Sequence, residues 1–261
     1  RNRRLILDVG FNTGGDAQTY LAHGYDVVGV EANPLLVKEA EMSERFLEYI
    51  AAGQLKLANV GISESSDSNI SFWAHSSMKE LGRLGKPSYS CMEFEDDRQV
   101  NKCTEHVVPI MTCQRMLDVF GVPLYLKIDI EGSEAACIFS LQETPDLCHL
   151  PFYISFQSMK PRLVSRTKTA TDLEADLVLA HLKRLGYRYF KQTVLQSQYN
   201  QRHNITWPGM ASGPFGEWAL DNVTGVLWAD MQNIEYFRAD DKVSGEWVDI
   251  HARLPGLPKP C

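Results

Sequence analysis

The 261-residue chain has no Cys-x-x-Cys pair, no Gly-Lys-Ser/Thr triplet and no apolar run near the roughly 20 residues that a bilayer-crossing helix needs. The first absence speaks against a structural zinc site or a thioredoxin-like redox motif. The second removes the phosphate-cradling P-loop, and the third removes a membrane span. Basic residues are also in deficit: 26 Lys and Arg stand against 33 Asp and Glu, for a formal net charge of −7. Nucleic-acid binding rests on clustered cations that displace counterions, so no nucleic-acid partner is expected. The one dense basic run, Arg1-Asn2-Arg3-Arg4, is terminal and reads as solvated. The chain also lacks an initiator methionine, from which we expect that a signal, anchor or leader once preceded Arg1.

What is present is enough for one well-buried α/β domain spanning 1–261, with 44% hydrophobic and 23% charged residues. The most informative stretch is Leu5-Ile6-Leu7-Asp8-Val9-Gly10-Phe11-Asn12-Thr13-Gly14-Gly15, an apolar strand that ends in an acid and then glycines. Such a turn brings bare backbone close to a ligand, or it serves packing alone. Glu31 closes a second apolar run, Val27-Val28-Gly29-Val30, where a mononucleotide-binding βαβ unit places the acid that grips ribose hydroxyls. In the dinucleotide fingerprint G-x-G-x-x-G, the middle glycine lets the backbone approach a pyrophosphate; Asn12 holds that place here, against a nicotinamide cofactor. Asp8, two residues before Gly10, suits a ligand with a cationic end, such as the amino group of S-adenosylmethionine.

Farther along, strands and helices alternate, which implies a mostly parallel sheet covered on both faces. A helix is expected from Pro34 to near Gly53, with Leu36, Ala40, Leu47 and Ile50 on one face. Leu55 to Val60 reads as a third strand, and Ile70, Phe72 and Ala74 mark an antiparallel one. Residues 76–104 read as a long polar loop. A helix from Thr112 to Phe120 precedes a fourth sheet strand from Leu124, and another helix starts at Ser133. Phe152 to Phe156, Tyr187 to Leu195 and Trp247 to Leu254 supply three more strands, with a helix from Thr171 to Leu185 that carries Leu173, Leu177 and Ala180 on its apolar face. Residues 196–246 form an insertion expected to cover the site as a lid.

In open α/β sheets, ligands sit beyond the carboxyl ends of the strands. Asp8, Glu31 and Asp129 then converge on one crevice if their strands are neighbours. Strand period sets Lys127, Asp129 and Glu131 on one side, where Lys127 either pairs structurally with Asp129 or serves the chemistry. Glu134 reads as a first-turn acid favoured by the helix dipole.

The blocks Asp8 to Gly14, Val30-Glu31-Ala32-Asn33-Pro34, Tyr125-Leu126-Lys127-Ile128-Asp129-Ile130-Glu131-Gly132 and Trp247-Val248-Asp249-Ile250-His251-Ala252 resemble the FkbM family of S-adenosylmethionine-dependent methyltransferases. The resemblance implies a Rossmann-like class I methyltransferase fold, seven-stranded with the last strand antiparallel, and O-methylation as the usual activity. It places Gly10 and Gly14 under the methionine part of the cofactor, Asp8 near its amino group and Glu31 on the ribose, with Asn12 and Ala32 beside them. Asn59 to Ile62, including Gly61, would lie beside the adenine, and Asp129 would face the methyl group and the incoming hydroxyl. The fifth strand of the family often ends in glutamate; here Gln157 follows Phe156, and a neutral amide takes up no proton.

Asp129 is the expected general base, with Lys127 and His75 completing the candidate catalytic set and Glu131, Gln157 and His251 facing the acceptor. His203 and His251 are alternative bases. Alternatively, Asp129 helps to hold a divalent cation such as Mg²⁺, although no second ligand is apparent. Trp73, Trp207, Phe215, Trp218 and Trp228 either stack on sugar rings or belong to the core. The resemblance implies carbohydrate or polyketide-like natural-product hydroxyls as acceptors. Three Asn-x-Ser/Thr sequons, at Asn69, Asn204 and Asn222, favour a glycan, since ten asparagines would give about one by chance. The six cysteines are ordinary thiols, or some pair in a secretory (Golgi) lumen, with Cys91, Cys103 and Cys261 the better candidates; a cytoplasmic location is the alternative. Two readings from other classes share the pattern, a nicotinamide-dependent reductase and a non-catalytic sugar-binding protein.

Overall fold

The computed structural model describes residues 2–66, 68–76, 82–87, 91–95, 98–130, 132–159, 170–194, 229–230 and 247–256. In chain order these form β1 (Asn2–Val9), α1 (Gly15–Ala22), β2 (Asp26–Glu31), α2 (Pro34–Met42), α3 (Glu44–Ala51) and β3 (Leu55–Asn59). There follow β4 (Gly61–Ile62), β5 (Ser68–His75), β6 (Gly82–Leu84), β7 (Met92–Glu95), β8 (Arg98–Asn101), β9 (Cys103–Met111), α4 (Cys113–Phe120), β10 (Pro123–Ile128) and α5 (Glu134–Ser140). The chain continues through β11 (Tyr153–Met159), α6 (Ala170–Arg184), β12 (Tyr189–Val194), β13 (Ala229–Asp230) and β14 (Trp247–Arg253).

The main sheet runs β13-β12-β14-β11-β10-β1-β2-β3. Its neighbours from β11 to β3 pair in parallel, whereas β14 is antiparallel to both β11 and β12. Counted in chain order, the seven long strands lie 3-2-1-4-5-7-6, a Rossmann-like arrangement whose last strand is antiparallel, as expected; the two-residue β13 adds an eighth at the margin. Tyr125 and Leu126 point to opposite sides of β10, and both are buried, so the sheet is covered on both faces. A second sheet, β4-β9-β5-β6, grows out of the chain directly after β3.

Three expectations need correction. The helix after Pro34 breaks at Ser43, whose extended backbone (φ −77°, ψ 124°) ends α2 and starts α3. The turn rotates Leu47 to solvent; Leu36 and Ala40 are buried as expected, Ile50 packs half-buried against the core, and Val37 and Phe46 complete the face. In α6, Leu177 is exposed and the buried stripe is Val178, Leu179 and Leu182, because the helix presents a face one residue farther along. Residues 76–104 are not one long loop: they contain β6, β7, β8 and the start of β9, strands that form by pairing rather than from an apolar run of their own. The proposed lid at 196–246 lies outside the described residues except for β13.

Disulfides join Cys91 to Cys103, across the base of the β7–β8 hairpin, and Cys113 to Cys137, which ties the first turn of α4 to α5. The second pair had no signal in the sequence, since both cysteines sit buried on helices. Cys148 is disulfide-bonded as well, and Cys261 lies outside the described residues.

The glycines near β1 divide between two tasks. A side chain on Gly29 in β2 would overlap the ring of Phe11, and one on Gly14 would overlap both Phe11 and Phe46. Gly14, at φ 75°, therefore makes room for a buried aromatic pair whose centroids are 5.6 Å apart. Overpacking at such a site forces ring displacement. Gly29→Ala is thus expected to lower the unfolding free energy by about 1–3 kcal/mol, measured by denaturant titration; an unchanged midpoint would show that the Phe11 ring yields freely.

Candidate active site

At the carboxyl end of β1, the chain turns through Gly10 (φ 84°) and Asn12 (φ 53°). A side chain on Gly10 would overlap the backbone carbonyl oxygen of Asp129, so glycine here lets the ends of β1 and β10 close on each other. Asn12 is a residue that tolerates the left-handed region. Its backbone N–H donates to Glu31 Oε2 at 2.9 Å, while the Asn33 N–H donates to Glu31 Oε1 at 2.8 Å. Glu31 thus clamps the loop after β1 and the start of α2 at once. Asn59 braces the clamp from β3, donating from Nδ2 to the carbonyls of Glu31 and Ala32 at 2.9 and 3.0 Å. Burial raises the Glu31 pKa above its ordinary value, against the opposing effect of these N–H donors.

Lys127 is the second centre. Its Nζ lies 3.0 Å from Asp8 Oδ1, 3.1 Å from Asp16 Oδ2 and 3.9 Å from Asp129 Oδ2. The register that aligns Asp8 with Lys127 across β1 and β10 produces the first contact, and the first turn of α1 supplies Asp16. Burial alone would favour a neutral lysine, but Asp8, Asp16 and Asp129 more than offset it and hold the ammonium protonated. Lys127 is therefore a fixed cation, not a base. Asp8 is fully buried, and desolvation pushes its pKa up to about 6 in spite of Lys127. The Asp129 side chain is 44% exposed, against 21% for Asp16 and 1% for Asp8, which makes it the most accessible carboxylate of this group.

A cavity of about 240 Å³ opens beside these groups. That is room for a small molecule, not for a folded partner. It brings together Gly10, Asn12, Glu31, Ala32, Gly61 and Asp129 among the expected site residues. Asp8, Gly14, Asn59 and Lys127 do not line it. His75 is buried in β5, opposite Cys103, and also lies off the lining. His251 is buried in β14, with Nδ1 2.5 Å from Ser155 Oγ. Gln157 lies opposite Asp249 in the β11–β14 ladder, next to the end of β10. Glu131, His203, Trp207, Phe215, Trp218 and Trp228 lie outside the described residues. Trp73 donates from its indole to the Gly85 carbonyl at 3.1 Å, within the second sheet. Among the described residues no group of three His, Cys, Asp or Glu side chains is arranged to hold a metal ion.

Three participants escaped the sequence. Asp16 is not singled out there, and Glu134 does more than its reading as a dipole-favoured helix acid implies: its carboxylate accepts from the N–H groups of Ile130 and Gly132, fixing the loop on the cavity wall. Asp249 stands close enough to Asp129 that burial, then that neighbouring carboxylate, push its pKa up to about 7. Strand period alone puts it on the face of His251, a signal available in the sequence.

No family model matches the chain, and no curated protein matches it in sequence. Solved structures align with nearly the whole chain at low identity. An S-adenosylmethionine-dependent methyltransferase from Archaeoglobus fulgidus is 11% identical over 97% of this chain and 87% of its own, with a TM-score of 0.38. Phosphoethanolamine N-methyltransferase 2 of Haemonchus contortus, in complex with S-adenosylmethionine, is 9% identical over 98% of this chain and 50% of its own, with a TM-score of 0.40. The glycopeptide N-methyltransferase MtfA is 11% identical over 98% and 85%, with a TM-score of 0.38. Likenesses this distant assign no activity to the chain.

Removing the Glu31 carboxylate orphans two amides, so Glu31→Ala should lower the unfolding free energy by about 1–3 kcal/mol even without ligand. Equal urea midpoints for the two proteins would dismiss the clamp. A second expectation concerns pH. A carboxyl whose folded pKa is raised favours the folded state when protonated, so its contribution is present at low pH and is lost as pH rises from the unfolded value to the folded one. For Asp249 the window is 3.8 to about 7, and for Asp8 it is 3.8 to about 6. Lys127 stays charged throughout and contributes no slope. Asp249→Asn should therefore flatten the decline of the melting temperature with pH, most clearly between about pH 6 and 7, and parallel curves would contradict the assignment.

Proposed function

We propose that this chain is an S-adenosylmethionine-dependent O-methyltransferase of the FkbM type, acting on a carbohydrate hydroxyl. The observation that carries the reading is the buried Glu31 carboxylate at the end of β2, on the wall of a cavity whose other acid is the half-exposed Asp129. The Glu31 oxygens are oriented by backbone N–H groups from both flanking segments, and a carboxylate so placed on the cavity wall suits the two hydroxyls of a ribose. The side-chain oxygen of Asn12 is buried with no donor in reach among the described residues, and it suits a ligand N–H or O–H. Asp8, Asp16 and Asp129 surround the Lys127 ammonium, and this local surplus of acid suits a cationic methyl donor.

When bound, the cofactor supplies an electrophilic methyl carbon. The chain's own part is to hold, orient and accept a proton. Gly10, Asn12, Glu31 and Ala32 would hold the nucleoside and amino-acid parts, and the Glu134-fixed loop would keep the wall in place. Asp129 stands at the cavity edge with Oδ2 3.9 Å from Lys127 Nζ, where a carboxylate oxygen can take the proton of an acceptor hydroxyl. His75 and His251 lie off the cavity lining, which favours Asp129 as that base.

Carbohydrate as acceptor rests on the family resemblance and on the sequons, of which Asn69 is exposed on β5. The disulfides support a secretory-lumen protein, since such bonds persist in oxidising compartments. Protein from a eukaryotic secretory host should lose mass on endoglycosidase treatment and show fewer than six free thiols when denatured. Six titratable thiols without glycan would return it to the cytoplasm.

Calorimetric titration with S-adenosylhomocysteine tests the cofactor, and Asp129→Asn tests the chemistry. The variant should bind S-adenosylhomocysteine nearly as the wild type does, while turnover on any acceptor that the wild type methylates falls about 10²-fold or more. EDTA should leave the wild type unaffected; a loss restored by Mg²⁺ would move Asp129 from base to metal ligand. Normal turnover by the Asn variant would make Asp129 structural.

A further inference from the structure

The second sheet has an inner and an outer face. Strand period turns Ile70, Phe72 and Ala74 of β5 inward, where they gather with Val108 and Leu84, and Phe72 and Leu84 line the cavity. Asn69, Ser71 and Trp73 then point the other way. Their partners across the β5–β9 ladder are Pro109, Val107 and Glu105, in that order. On this outer face Asn69, Pro109, Val107 and Glu105 are exposed, and Ser71 and Trp73 are half-buried. Val107, at 71%, is the most exposed of the large apolar side chains among the described residues.

A single exposed valine is ordinary on a protein surface. The place of this one is what matters. In an antiparallel pair, side chains on one face meet diagonally as well as directly. Ser71 uses that diagonal: it lies opposite Val107, yet its hydroxyl donates to the carboxylate of Glu105, two residues along. Asn69 stands to Val107 in the same relation, opposite Pro109 and one diagonal from the valine. A group borne on the Asn69 amide therefore reaches the valine methyls. Asn69-Ile70-Ser71 is itself a sequon, so the residue beside this apolar surface is one that can carry a bulky, solubilising group. The other side chains of the face are engaged elsewhere, Trp73 with the Gly85 carbonyl and Glu105 with Ser71.

We propose that Asn69 is an N-glycosylation site whose first sugar lies over Val107 and Pro109. This rests on the secretory-lumen reading above, because the modification is made in that compartment. An oligosaccharide passes to the asparagine from a lipid diphosphate carrier: the bond from Nδ2 to the sugar C1 forms, the bond from C1 to the diphosphate oxygen breaks, Nδ2 gives up one proton and the lipid diphosphate leaves. A pyranose presents C–H groups on its faces and hydroxyls at its rim. Laid on this strip, it covers the valine methyls and keeps its hydroxyls in water. The inner face of the sheet serves the cavity, and the outer face is taken up by the chain's own sugar.

The experiment uses the whole chain from a eukaryotic secretory host, with glycan occupancy at Asn69, Asn204 and Asn222 read by mass spectrometry of proteolytic peptides. Asn69 should be occupied. Asn69→Gln, which carries no sugar, should melt about 2–4 °C lower than the wild type. That difference should survive an endoglycosidase that trims each glycan to its first sugar, and it should disappear when Val107→Ser is already present, because both substitutions remove one contact. A bare Asn69 beside an occupied Asn204 or Asn222 overturns the proposal and leaves the secretory reading standing, whereas three bare sequons overturn both. An equal loss with and without Val107→Ser overturns the seat on the valine. If Asn69 is bare and the chain sediments as a dimer that Val107→Ser splits, a second copy covers the face in place of a sugar.

Discussion

The rest of the site depends on one ammonium group taken out of water. Lys127 sits in the middle strand of the main sheet, and its charge is tolerable there only because Asp8 and Asp16 stand at hydrogen-bonding distance. Those three residues belong to β10, β1 and α1, so the need to pair one cation fixes the strand register and the seat of the first helix together. Acid outnumbers base around it, and the surplus is pushed outward to Asp129, the member most open to water. The edge of the cavity thus carries a negative charge set by the core beneath it.

The framework was legible in the sequence wherever residue type and position were under a single demand. β1, β2 and β10 are apolar runs that end in Asp8, Glu31 and Asp129, and a buried parallel strand has few other ways to be written. Legibility failed where one residue answers to two neighbours. Ser43 ends one helix and begins the next, so the apolar pattern crosses it unbroken although the axis does not. Leu177 and Leu47 carry the right side chain on the wrong face, because the period locates a stripe only to within a residue. The strands of 76–104 take their order from pairing with β5 and with each other, which local composition does not report.

The site was legible to a similar depth. Residues that line the cavity through backbone or a strand-end acid, such as Gly10, Glu31 and Asp129, announce themselves by position. Gly14 looked equivalent to Gly10 and is not: its missing side chain serves Phe11 and Phe46, a role that depends on a ring brought in from α3. Phe72 and Leu84 had no signal at all, because their claim to the cavity comes from how a second sheet leans on the first. Asp249 could have been found, since it shares a strand face with His251 and strand order then brings it near Asp129.

The Glu31 clamp bears on the thermodynamics of whatever enters. Loops that wrap a ligand commonly order as it arrives, and the lost conformational freedom is subtracted from affinity. Here the N–H groups of Asn12 and Asn33 are already satisfied by a carboxylate of the protein, and Asn59 already holds the carbonyls behind it. The turn after β1 is preorganised. A ligand that finds it so loses mainly its own freedom on binding, and the association is correspondingly closer to lock and key than to induced fit.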